Sequence, residues 1–368
     1  MSSAQPLAPA AGFTAQGELF FCANFAMMEM NLRPPDMPKK EPEINAEENG
    51  LDALRPKSFE EYVGQGKIKT NLRLIIEAAK GRNEACDHLL FYGQAGLGKT
   101  TLAYIIGREM NVNVRSTSGP AIEKAGDMAA LLSNLEANEI LFVDEIHRLN
   151  KLAEEILYPA LESRKLHLIV GKGPSARTFT LDLPPFTVIG ATTKVNMLSA
   201  PLRSRFGATF RLEYYQNEDI ERIIARSAKI LGVAITPEAA AALARASRFT
   251  PRIANRLLKR ARDYAQVNGR KAIDDEVVRA TLEMLEIDDL GLDETDRELL
   301  RIIVSKFNGG PVGLKTIAAA LNEDMETIEE VYEPFLMKLG LLNRTSLGRM
   351  TTPLAAEHLG LKREKKLI

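Results

Sequence analysis

Cysteine is scarce in this sequence, an excess of either charge is missing, and no apolar run reaches the length of a membrane span. Only Cys22 and Cys86 occur, in neither metal-ligand nor disulfide spacing, which points to a reducing, cytoplasmic setting. Lys plus Arg at 48 against Asp plus Glu at 49 leaves no global basic field, so any contact with nucleic acid has to be local. The early apolar stretch "LFFCANFAMM" at 19–28 is too short to cross a bilayer, and no Lys or Arg precedes it to make a secretory leader. No platform of stacking aromatics stands out, which suits tracking of a duplex better than base reading. What is present is ordinary for a soluble globular chain. Its 368 residues are 45% hydrophobic and 26% charged, with room for two or three domains.

Residues 1–50 show no sustained period and become Pro- and acid-rich in "RPPDMPKKEPEINAEENG", so they read as a disordered extension. Met27, Met28 and Met30 read either as Met-rich coil or as a later start of translation. Over 51–213, short continuous apolar runs alternate with helical patterns: "HLLFYG" (88–93), "EILFVDE" (139–145) and "FTVIGATT" (186–193). Strands buried on both faces need such runs, so the fold class is α/β with a parallel sheet. The stretch "LHLIVGKGPSARTFTLDL" (166–183) instead alternates around a Gly-Pro turn and reads as an inserted β-hairpin. Leu166, Leu168 and Val170 share one face of it, either as an exposed apolar contact or buried against their own domain.

Over 214–287 Ala-, Arg- and Leu-rich helices form a small helical lid domain. One helix is expected from a cap at Asn217 to a stop at Gly232, and two open with Thr-Pro, at Thr236 and Thr250. Residues 288–357 read as three helices followed by two short strands in "LLNRTSLGRMTTP", a winged-helix unit, with 358–368 a flexible tail.

Gly93 to Thr100, "GQAGLGKT", fits G-x-x-x-x-G-K-[ST] between a strand and a helix. Glycines let the backbone curl so that amide hydrogens and a helix N-terminus converge on phosphate oxygens. Lys99 can then reach the outer phosphates and Thr100 offers its hydroxyl to Mg2+. About forty residues on, "ILFVDEIH" (140–147) supplies a strand ending in acid. Asp144 is placed to hold the metal shell and Glu145 to polarise an attacking water. The D-E-x-H pattern also marks a helicase class with two tandem α/β lobes, but here helices follow the first lobe. His147 therefore reads as a helix-start residue.

With the loop, the acidic strand, "GATTK" and "PLRSRF" in order, the chain resembles the AAA+ ATPases, and over about 51–359 it is similar to the RuvB family of bacterial Holliday-junction branch-migration motors. The passages that carry this include "LRPKSFEEYVGQ", "DLPPFTVIGATT", "TPRIANRLLKR", "DDLGLDETDRELL" and "TIEEVYEPFLMKLGLL". The resemblance implies an ATP- and Mg2+-dependent homohexameric ring that pumps double-stranded DNA at four-way junctions, with RuvA bound through the hairpin and RuvC as a further partner. It places Leu54, Arg55 and Tyr215 beside the nucleotide, and Gly96, Gly98, Lys99, Thr100 and Thr101 around its phosphates. It further implies that Thr193 senses the γ-phosphate, that Arg252 is a second sensor on the lid, and that Arg205, rather than Arg203, is an arginine finger for a neighbouring subunit's nucleotide. From spacing alone Thr193 is no more than a strand-end threonine.

Two places depart from that family's pattern. Gln94 and Ala95 stand where its loop has two prolines, which removes stiffness but no phosphate ligand. The wing turn "RTSLGR" is less basic than usual, and Asp293 to Ala356 carries ten acidic and seven basic residues. Arg344 and Arg349 flank the turn, as DNA-backbone contacts or as arginines solvating a loop.

Overall fold

A computed structural model describes residues 53–170 and 177–361. The N-terminal extension, the tail beyond 361, the Gly-Pro turn of the hairpin and the Val170 side chain, on all of which the sequence raises expectations, lie outside the described residues.

The first domain runs α1 (Gly66–Arg82), β1 (Leu89–Tyr92), α2 (Lys99–Met110), β2 (Val114–Ser118), α3 (Ala125–Ser133), β3 (Ile140–Asp144), α4 (Lys151–Ser163), β4 (Lys165–Val170), β5 (Arg177–Asp182), β6 (Thr187–Thr192), α5 (Ala200–Arg203) and β7 (Ala208–Arg211). Five strands form one parallel sheet in the order β2-β3-β6-β1-β7. Alternation along β1 explains why the run had to be apolar throughout. Leu89 and Phe91 join one buried cluster with Leu102, Ile105 and Ile106 of α2, while Leu90 joins the opposite one with Leu132 of α3 and Leu157 of α4. The edge strands β2, "VRSTS", and β7, "ATFR", carry no such run and went unannounced by sequence.

The hairpin forms by antiparallel pairing of β4 and β5, with Leu166 opposite Leu181 and Leu168 opposite Phe179. Its apolar face is divided. Leu166 is fully buried and Leu168 packs on the same cluster, so these two are core, while Phe179 and Leu181 on the outer strand stay about half exposed.

The second domain holds α6 (Asn217–Ile230), α7 (Pro237–Arg245), α8 (Pro251–Val267) and α9 (Asp275–Met284), with a two-residue parallel pair, β8 (Ala234–Ile235) and β9 (Ala272–Ile273), that the all-helical reading lacked. Thr236 caps α7 by accepting the Ala239 N–H at 3.2 Å. Thr250 occupies the equivalent place on α8 without capping, because its hydroxyl donates to the Ser247 carbonyl instead. Asn217 is the first residue of α6 and not its cap, a position taken by Gln216.

The third domain has α10 (Glu294–Lys306), α11 (Leu314–Leu321), α12 (Met325–Thr327), a π-helical turn (Ile328–Tyr332), α13 (Glu333–Lys338), the antiparallel wing β10 (Leu342–Thr345) and β11 (Gly348–Thr351), and α14 (Pro353–His358). The π turn sits where Pro334 offers no N–H to the Glu330 carbonyl, so the helix has to widen there.

Lid and winged domains meet at Arg248. It donates to the Gly291 carbonyl and to Asp293 at 2.8 Å, pairs with Asp296, and lies over the Phe335 ring. Asp296 is fully buried with one carboxylate oxygen unpartnered, and burial pushes its pKa up to about 7. A folded-state pKa raised from 3.8 means the native state binds the extra proton between about pH 4 and 7, so this group's contribution is present at the acid end and lost as pH rises through about 7. Thermal melts of Asp296→Asn and the parent protein at about pH 5 and 8 are expected to show the parent losing stability relative to the variant at the higher pH.

Candidate functional site

The phosphate loop leaves β1 at Tyr92 and enters α2 at Lys99, with left-handed glycines at Gly96 (φ 79) and Gly98 (φ 100). Neither tolerates a side chain. A Cβ on Gly96 would lie 2.9 Å from the Arg252 Cβ, and one on Gly98 2.7 Å from the Tyr62 hydroxyl. Lys99 is 8% exposed, and its ammonium donates to the Gly93 and Gln94 carbonyls at 2.8 and 2.9 Å. Burial pulls its pKa down to about 8, Asp144 opposes that shift, and Arg252 adds to it. A polyphosphate beside Lys99 raises the pKa again, so binding takes up a proton above about pH 8 and affinity falls as pH rises through that value. Titration calorimetry of nucleotide binding at about pH 9 in buffers of different ionisation enthalpy should detect the uptake, which should shrink toward zero at about pH 7, where the free ammonium is already protonated. Thr100 and Thr101 follow in the first turn of α2, both half-buried.

Strand β6 lies between β1 and β3, with Thr192 beside Tyr92 and Gly190 beside Val143. The loop, Thr193 and Asp144 therefore leave the sheet at the same carboxyl edge, where open α/β sheets bind ligands. Asp144 accepts the Glu145 N–H at 2.9 Å, and Glu145, left-handed at φ 46, is exposed and pairs with Arg148 at 3.1 Å. The strand ends one residue before Thr193. Thr192 is buried, accepts the Lys194 N–H at 2.9 Å, and shares a 2.9 Å hydrogen bond with His147. His147 lies in a short 3-10 turn, so it serves to fix the acidic strand against β6 as well as to start the next segment.

At the other end of the loop, the hydroxyls of Tyr62 and Tyr215 both donate to the Leu97 carbonyl at 3.3 Å. Both rings are buried, which raises the Tyr215 pKa to about 12. No local sequence signal marks Tyr62, which stands in "LRPKSFEEYVGQ", because its partner lies 35 residues away. Leu54 is buried, and its carbonyl accepts from Arg226 of α6 at 2.9 Å; Arg55 lies 5.8 Å from the centre of the Tyr104 ring. Arg252, exposed in the first turn of α8, lies against Gly96, so the lid touches the loop directly.

Arg205 is directed elsewhere. Its guanidinium donates to the Pro201 carbonyl at 2.7 Å and to Glu162 at 2.8 Å, over the Tyr158 ring, on the α4 side of the domain. The two wing arginines differ from each other. Arg349 is turned into the domain, pairing with Glu333 at 2.6 Å and Glu329 at 3.4 Å, so its charge is neutralised inside the fold. Arg344, also paired with Glu329, keeps half of its side chain exposed.

Comparison with known proteins covers all three domains. The Holliday junction DNA helicase RuvB P-loop domain matches residues 54–212, the RuvB AAA lid domain 215–288, and the RuvB C-terminal winged helix domain 289–360. A Holliday junction branch migration complex subunit RuvB from each of two strains of Chloroflexus aurantiacus is 58% identical over 309 residues, covering 84% of this chain and 88% of the relative. The solved Thermotoga maritima RuvB, described as a Holliday junction branch migration motor, superposes with a TM-score of 0.77 at 47% identity, over 84% of this chain and 99% of that one. A single-substitution variant of it gives 0.78.

Proposed function

The chain belongs to the RuvB family of ATP-driven Holliday junction branch-migration motors, and from that premise we propose how its own residues carry the work. Lys99 and the loop amides hold the phosphates of ATP, with Leu54, Arg55 and Tyr215 around the rest of the nucleotide. Thr100 and Asp144 hold Mg2+, whose chemistry is to draw charge from the phosphate oxygens. Mg2+ takes few protein ligands when phosphates supply others, which fits one hydroxyl and one carboxylate. Glu145 accepts the proton of the attacking water once it leaves Arg148. Thr193 and Arg252 read the γ-phosphate from the sheet edge and from the lid, and Arg205 completes the site of the adjacent copy in a homohexamer. DNA is held by its backbone, with Arg344 rather than Arg349 reaching a phosphate. RuvA docks on the exposed Phe179 and Leu181 of the hairpin, and RuvC joins the same junction in the cytoplasm.

What supports this reading is one observation above the others. Lys99, Asp144 and Thr193 leave the sheet along one edge, and the lid residue Arg252 closes against the same loop. The test is a synthetic four-way junction incubated with this protein, RuvA and Mg-ATP, and resolved on a gel. Dissociation into duplex arms is expected only with ATP. An intact junction at every protein concentration, with hydrolysis proceeding, would overturn it.

A further inference from the structure

Lys194 follows the sensor candidate Thr193, yet its ammonium leaves the first domain and pairs with two carboxylates of the third, Glu326 and Glu330. The lysine side chain is only 21% exposed, so it is held in that contact and does not simply wave in solvent. Its own N–H is tied to the buried Thr192 hydroxyl, which in turn bonds His147 of the acidic motif. On the far side, Glu326 and Glu330 are four residues apart and interleave with Glu329 and Glu333, also four apart. The first pair faces the sensor turn and the second holds Arg344 and Arg349 of the wing. All four lie on one short segment that contains the π turn, a form of helix found often at functional sites.

We infer that Lys194 is a positioning residue that couples the nucleotide-sensing turn to the DNA-facing wing through this acidic segment, an inference that rests on the reading of Thr193 as the γ-phosphate sensor. A shift of the Thr193–Lys194 turn on hydrolysis pulls or releases Glu326 and Glu330. The segment then moves with Ile328 as its buried anchor, and the share of Glu329 held by Arg344 changes. That alters how freely Arg344 meets a phosphate. Coupling of this kind is reciprocal and typically about 5- to 150-fold in affinity.

The experiment uses the full chain and a fluorescent duplex of arbitrary sequence. Duplex affinity is measured with a non-hydrolysable ATP analogue and with ADP, and the ratio of the two is compared across variants. Wild type should show a ratio of about 5-fold or more, and the double variant Glu326→Gln/Glu330→Gln should bring it to within about two-fold of one. Hydrolysis without DNA should be unchanged in that variant, because neither carboxylate touches the nucleotide site. Lys194→Glu should lose the ratio likewise, and adding Glu326→Lys and Glu330→Lys should restore it, which a merely structural role would not do. A wild-type ratio of one, a ratio surviving in the glutamine variant, or a charge swap that melts normally without restoring it would overturn the inference. Thr193→Val hydrolysing at the wild-type rate would instead remove the sensor reading, whereas the ratio measures the tether itself.

Discussion

Arg205→Ala should lower ATP turnover of the assembled protein by about 10³-fold or more while nucleotide affinity changes little. A guanidinium donates in a fixed planar fork to charge that builds on the transferred phosphoryl group, so its loss falls on the transition state. In this chain the side chain is presented from the turn after α5 toward Glu162 and Tyr158 of α4, whereas the lid and the phosphate loop meet at Gly96. The proposed role for an arginine so placed is to act on a neighbour. Mixing Arg205→Ala subunits with Lys99→Ala subunits should therefore recover activity that neither has alone, since one supplies a loaded site and the other a finger. Wild-type turnover in Arg205→Ala, or no recovery at any mixing ratio, would remove the trans assignment.

The second large effect is a division of binding from turnover. Lys99→Ala should abolish measurable ATP binding, because the variant removes the buried ammonium held at the loop carbonyls. Glu145→Gln should bind ATP normally and lose about 10² to 10⁴ in turnover, the usual contribution of a positioned general base. The glutamine also loses the charge that holds Arg148, a surface pair worth no more than about 1 kcal/mol, so folding is not at stake. Equilibrium binding and single-turnover hydrolysis read the two halves separately. Equal nucleotide affinity in Lys99→Ala, or undiminished hydrolysis in Glu145→Gln, would each contradict its half.

The three central strands, the loop glycines and the Thr236 cap could be read in the sequence because each is a local requirement. A strand covered on both faces needs an unbroken apolar run, and β1, β3 and β6 have one. The edge strands β2 and β7 meet no such requirement, so "VRSTS" and "ATFR" carry no signal. At Asn217 and Thr250 local rules misled, since Gln216 takes the cap position and the Thr250 hydroxyl turns back to Ser247.

What the sequence determined alone was chemistry that lies within a few residues: a glycine-rich turn into a helix, a strand ending in two acids, and a family pattern spread over three domains. Tertiary structure decided which long-range partners those groups meet. It put Tyr62 and Tyr215 on one carbonyl of the loop, turned Arg349 inward onto Glu333, buried Leu166 while leaving Phe179 outside, and joined Lys194 to a segment more than a hundred residues away. The reason is physical. A hydrogen bond or ion pair between distant residues depends on which surfaces the packed domains bring together, and no period along the chain encodes that.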